Sequence, residues 1–131
     1  MWDFMNLQSN ESILIVDDNP DVTDTFSRLL RLEGFTVHTA IDPEGGLEIA
    51  AGTHPASLIL DLREPILSGL QFLQPMRQTP ALRDTPGVIV TGDYFIDDRT
   101  TSQIEALGAE VHFKPLWLDD LVALARGLLA A

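Results

Sequence analysis

Four short segments end in residues that can handle a charged oxygen. Ile13-Leu14-Ile15-Val16 runs into Asp17-Asp18, Leu58-Ile59-Leu60 into Asp61, Val88-Ile89-Val90 into Thr91, and Val111-His112-Phe113 into Lys114. Gathered at one edge, these supply three carboxylates, one hydroxyl and one ammonium. Clustered carboxylates repel one another and raise their pKa values unless a cation relieves them. A hard divalent ion such as Mg²⁺ does so with one or two carboxylates and several waters. Such an ion also holds a phosphoryl oxygen, while a lysine and a hydroxyl bind the other oxygens as charge develops in phosphoryl transfer.

Each residue alone has a plainer explanation. An acidic pair after a strand can start a turn or cap a helix, Asp61 can be an ordinary loop acid, and Thr91 by itself says almost nothing. Lys114 carries more weight, because the other seven basic residues are all arginine. Lysine offers a compact, flexible point charge where arginine offers a planar fork. The joint pattern is much harder to obtain by accident than any member of it.

The elements that must position these residues can be read from the periodicity. The four-residue apolar run before Asp17 suits a strand buried on both faces. Asn19 then caps a helix with Pro20 in its first turn, Val22, Phe26, Leu29 and Leu30 recur at helical spacing, and Gly34 supplies the stop. Phe35 and Val37 alternate with polar residues as a second strand. Asp42-Pro43 opens a weaker helix, in which Gly45 and Gly46 lower the propensity and Leu47, Ala50 and Ala51 give an apolar stripe before Gly52. After the third strand, a loop with Pro65 and Gly69 leads to Leu70, Leu73 and Met76, and Pro75 is expected to kink or end that helix. The fourth strand is followed by a polar helix with Ile104 and Leu107 that closes at Gly108. A fifth short strand precedes a last helix, with Asp119 and Asp120 in its first turn and Leu121, Leu124, Ala125 and Leu128 along one face. Strands alternating with helices predict an α/β fold, a doubly wound five-stranded parallel sheet with right-handed crossovers. In such sheets, sites form outside the carboxyl ends of the strands, where the four segments deliver their polar residues.

Composition narrows the function. The chain has 131 residues, 45% of them apolar, which is material for one domain and one core. Eight basic against 20 acidic residues give a net charge of −12, which opposes direct binding to nucleic acid or anionic lipid. The absence of cysteine removes disulfides, thiolate nucleophiles and thiolate metal sites. The first basic residue is Arg28 and no apolar run reaches the ~20 residues of a membrane span. The expectation is a cytoplasmic protein without a membrane anchor. His38, His54 and His112 are scattered and fit no metal pattern.

The strings ILIVDDNP, LILDLREPILSG, VIVTG and FKP resemble, in order and across about residues 12 to 130, the receiver domain of two-component response regulators. The resemblance implies a CheY-like (βα)5, flavodoxin-like sheet of strand order 2-1-3-4-5 over residues 12–131, after an apolar extension, 1–11, whose packing the sequence leaves open. It implies Asp61 as the phosphoacceptor. Asp18 would be the direct Mg²⁺ ligand, with Asp17 acting through water or from behind, and the backbone carbonyl of Arg63 and Asp61 itself would complete the protein ligands. Thr91 would bind a phosphoryl oxygen, Lys114 would pair with Asp61 and then with the phosphoryl group, and the Lys114-Pro115 bond would be cis. The implied partners are a histidine kinase or histidine phosphotransfer protein and a downstream protein, with a phosphorylation-dependent homodimer also allowed. The domain, standing alone or cut from a longer regulator, would be a signalling phosphoacceptor with weak autocatalytic phosphotransfer and dephosphorylation, not a metabolic enzyme.

Three positions depart from the family. Glu64 stands where an apolar residue is usual, three after Asp61. Val111 stands three before Lys114, where an aromatic ring commonly swings inward as the threonine moves; valine has no ring and is stiff about χ1. Pro75 interrupts a helix that usually runs on. Tyr94, Phe95 and Trp117 are candidates for a partner-facing surface. Glu64 and Val111 support an alternative reading, a phosphorylation-independent binding scaffold. An aspartyl-phosphate phosphohydrolase of the haloacid-dehalogenase type needs a second aspartate two residues after the nucleophile, where this chain has Arg63. No glycine-rich phosphate cradle follows the first strand, which argues against a nucleotide site.

Overall fold

A computed structural model describes residues 12–17, 19–61, 67–91, 96–113, 120, 122–123 and 126. The first apolar run becomes β1, Ser12–Asp17, buried along its whole length. Asn19 accepts a hydrogen bond from the Asp21 N–H at 3.1 Å and caps α1, Pro20–Leu32, with the proline in its first turn. Gly34, at φ +99°, turns the chain out of the helix into β2, Thr36–Ala40. Asp42 accepts from the Gly45 N–H at 2.7 Å and starts α2, Pro43–Thr53. That helix ends one residue past Gly52, on His54 in the left-handed conformation at φ 49°. The expected glycine stop is therefore made by a histidine, a residue that tolerates this region better than most.

The third strand, β3, is Ser57–Asp61. Helix α3, Leu67–Gln78, begins before Gly69, so the loop is shorter than the sequence suggested. Pro75 neither ends nor breaks it, as the helix continues for three more residues. The reason is tertiary. Met76 is fully buried, and the half-buried Arg77 donates from Nε to the Leu107 carbonyl at 2.6 Å, from Nη1 to the Leu82 carbonyl at 2.8 Å and from Nη2 to the Thr85 carbonyl. These bonds outweigh the one helical N–H that proline removes. Burial pulls the Arg77 guanidinium below its usual pKa, with Asp84 acting in the opposite direction.

A 3₁₀ turn, Pro80–Leu82, precedes β4, Gly87–Thr91. Asp97 caps α4, Asp98–Ala106, accepting from the Thr100 N–H at 2.7 Å. Gly108, at φ +75°, leads into β5, Ala109–Phe113. Residues 120, 122–123 and 126 are also helical. The sheet is parallel with order β2-β1-β3-β4-β5, the order that the family resemblance implies. On one face Leu14, Val16, Leu58, Leu60 and Ile89 pack with Ala50 of α2, Phe72 and Met76 of α3 and Ile104 of α4. On the other, Ile13, Ile15, Ile59, Val88 and Val90 pack with Leu30 of α1, with Phe26 and Val122 against them. Arg126 reaches Glu33 at 2.9 Å, tying the last helical residues to the end of α1. Among the described residues no helix is long and apolar enough to cross a membrane.

Candidate functional site at the carboxyl edge of the sheet

Two strands, β1 and β3, end in aspartate, a residue depleted in strands. The register of the sheet sets the ends of β1, β3, β4 and β5 in a row. Asp17 of β1 pairs with Asp61 of β3, Asp61 with Val90 of β4, and Val90 with His112 of β5. One residue further on, Thr91 pairs with Phe113. Register partners in neighbouring strands lie roughly 4.8 Å apart in the sheet, so the backbones of residues 17 and 61 are immediate neighbours at the carboxyl edge.

Asp17 is only 2% exposed, and its Oδ1 accepts a hydrogen bond from the Asn19 N–H at 2.8 Å. The residue that caps α1 thus also braces the first site acid. Thr91 is 6% exposed. Three expected site residues, Asp17, Asp61 and Thr91, are brought to one edge by their strands. Asp18, Arg63 and Lys114, with the Lys114-Pro115 bond, lie outside the described residues, as do the 1–11 extension, Glu64, Tyr94, Phe95 and Trp117.

The aspartates that the sequence places at 17, 18 and 61 could offer a cation only oxygen donors. That chemistry fits a hard cation such as Mg²⁺ and does not fit a soft thiolate-seeking metal. Among the described residues no three acidic or histidine side chains gather at one point. The histidines are elsewhere. His38 is half-buried in β2, His54 ends α2, and His112 Nε2 lies 3.2 Å from Glu110 Oε2 on β5.

Val111 packs against the core and is half-buried, whereas Phe113, two residues on along the same strand, is 44% exposed. The signal for Phe113 was present in the sequence as an aromatic two residues beyond Val111, which alternation puts on the same face of β5. A cavity of about 380 Å³, lined by Arg77, Arg83, Asp84, Ala106, Leu107 and Gly108, lies at the opposite end, before β4 and β5 begin. It is remote from the aspartates.

Comparisons with known proteins agree with this architecture. Residues 13–126 match the family model of the response regulator receiver domain. The transcriptional regulatory protein PrrA of Mycobacterium leprae is 36% identical over 121 residues, which is 92% of this chain and 51% of that protein. The response regulator MprA of Mycobacterium ulcerans is 33% identical over 117 residues, 89% of this chain and 49% of that protein. The chain spans about half the length of these curated relatives. Among solved structures, the chemotaxis protein CheY4 of Vibrio cholerae superposes with a TM-score of 0.79 at 24% identity, covering 90% of this chain and 98% of its own, and shows the shared fold. A response regulator described as putative, from Chloroflexus aurantiacus, gives a TM-score of 0.76 at 27% identity, covering 92% and 98%. With the family model matched over nearly the whole chain and the strand order of its structural relatives reproduced, this chain belongs to the response regulator receiver domain family.

Proposed function

We propose that this receiver domain accepts a phosphoryl group on Asp61 from a phosphohistidine of a histidine kinase or phosphotransfer protein. A carboxylate oxygen of Asp61 attacks phosphorus, the phosphorus–nitrogen bond breaks, and the imidazole leaves as the neutral ring after taking up a proton. The observation that most supports this reading is the pairing of Asp17 with Asp61 at the carboxyl edge, with Thr91 one residue further along β4. Asp17, Asp18 and Asp61, with the carbonyl of Arg63, are the residues that would hold Mg²⁺; when bound, the ion neutralises negative charge and orients a phosphoryl oxygen. Thr91 donates its hydroxyl proton to a second phosphoryl oxygen, and Lys114 balances charge on the third as it develops. Asp17 Oδ1 accepts from the Asn19 N–H, which fixes one of its carboxylate oxygens.

The functional unit is residues 12–131, with 1–11 as an extension. Output passes through changed affinity for a protein partner, which in a longer protein of the relatives' kind would include attached domains. The direct test is intact mass after treatment with a small acyl phosphate, with and without Mg²⁺. One phosphoryl adduct that needs both Mg²⁺ and Asp61 supports the reading, and Asp61→Asn must abolish it. Failure with a small donor and with cognate kinase alike would favour a scaffold that binds partners without phosphorylation, the reading to which Val111 lends support.

A further inference from the structure

The cavity of about 380 Å³ before β4 and β5 has two guanidiniums and one carboxylate in its wall, those of Arg77, Arg83 and Asp84. This is a local excess of positive charge in a chain of net charge −12. The volume falls within the roughly 300–1,000 Å³ of ligand pockets. Phosphotransfer at the opposite end of the sheet gives the cavity no role.

The two arginines are used differently. Arg77 spends its hydrogen bonds on the backbone carbonyls of Leu82, Thr85, Leu107 and Gly108, which fix the guanidinium in the wall. Carbonyl dipoles satisfy its donors without neutralising its charge. Burial penalises that charge, and Asp84 offsets only part of the penalty. Arg83 is exposed and has no hydrogen-bond or ion-pair partner among the described residues. By contrast, Arg28 and Arg126 each hold a carboxylate and Arg31 a carbonyl. The Arg83 fork is therefore open to a planar anion, which it can grip through two parallel N–H donors. Ala106 and Leu107, at the end of α4, add an apolar wall to the same cavity.

We infer that this cavity binds a small carboxylate with an apolar body: the carboxylate pairs with Arg83 in the field of Arg77, the body lies against Ala106 and Leu107, and Asp84 limits the affinity by repulsion. The inference does not depend on Asp61 accepting a phosphoryl group.

The test titrates the isotope-labelled full chain, free of Mg²⁺ and at constant ionic strength, with benzoate, following the amide resonances of Thr85, Leu107 and Gly108. Saturable shifts in the millimolar range are expected. Acetate, which lacks the apolar body, and benzamide, which lacks the charge, should each bind more weakly. Arg83→Gln, which breaks no bond among the described residues, should weaken benzoate about fivefold, and Asp84→Asn should tighten it about twofold. Asp61→Asn should bind benzoate like the unaltered chain, so a failed phosphoryl adduct leaves this inference standing. No saturable shift at these amides, equal binding of acetate or benzamide, undiminished affinity in Arg83→Gln or no tightening in Asp84→Asn overturns it.

Discussion

Asp17 and Asp61 are register partners on adjacent parallel strands, so the sheet brings two aspartates together at its carboxyl edge with Asp17 almost wholly out of water. Such an arrangement is expected to gain from a divalent cation. Mg²⁺ should raise the unfolding midpoint, and at a concentration 100-fold above its dissociation constant the gain is about 2.7 kcal/mol if the unfolded chain does not bind it. Asp17→Asn should keep the acceptor for the Asn19 N–H yet lose most of this increment. Thermal unfolding at several Mg²⁺ concentrations measures both, and an undiminished increment in Asp17→Asn would remove that residue from the cation site.

Two glycines of α2 should respond to alanine with opposite signs. A Cβ at Gly46 would meet Val16 Cγ2 at 2.8 Å and Phe72 Cε1 at 3.2 Å, inside the core between β1 and α3, whereas one at Gly52 meets nothing within 4 Å. Gly46→Ala should destabilise by roughly 1–3 kcal/mol through overpacking, despite a helix propensity gain of up to about 1 kcal/mol. Gly52→Ala should stabilise by about 0.4–1 kcal/mol. Denaturant midpoints at constant slope decide it.

Arg77 joins three segments through backbone carbonyls of Leu82, Thr85 and Leu107. Arg77→Met removes the donors and leaves those oxygens partly unsatisfied, at a cost of about 2–3 kcal/mol. Arg77→Lys should recover only a minor part, because one ammonium cannot reproduce a fork aimed at three carbonyls. Chemical denaturation of the two variants provides the comparison, and equal stability of Arg77→Lys and the unaltered chain would contradict it.

The cap of α4 should make stability depend on acid pH. Hydrogen bonds from the Thr100 side chain and backbone hold the Asp97 carboxyl below the usual carboxylate range. The folded state therefore favours the ionised form. Its contribution is fully present above the unfolded carboxylate's pKa of about 3.9 and fades as pH falls through the lower folded value. Asp97→Asn keeps a neutral cap, so its deficit relative to the unaltered chain should be largest near neutral pH and narrow as pH falls through the lowered folded value. Denaturation across pH 2 to 7 shows whether the two curves converge.

The fold was legible wherever local chemistry and tertiary packing agree. The five expected strand segments became the five strands, Asn19 and Asp42 became caps, and Gly34 and Gly108 became positive-φ turns. Pro75 did not end its helix, because proline speaks only for its own turn, while Arg77 is held by residues up to 31 positions away. His54 was read only as a scattered histidine because a left-handed helix end is normally glycine's place. At the site, the types and order of Asp17, Asp61 and Thr91 could be read directly, but register could not. That Asp17 faces Asp61 and Thr91 faces Phe113 follows from where each strand begins, which no single strand's sequence fixes.

The central claim is that Asp61 accepts the phosphoryl group. An aspartyl phosphate is reduced by borohydride to homoserine, so treating the chain with acyl phosphate and Mg²⁺, reducing it and mapping its peptides identifies the modified residue directly. Homoserine at position 61, absent when Mg²⁺ is withheld, is the predicted result. Homoserine at position 17 or 18 instead, or at no position under a donor and a cognate kinase both, would contradict the account.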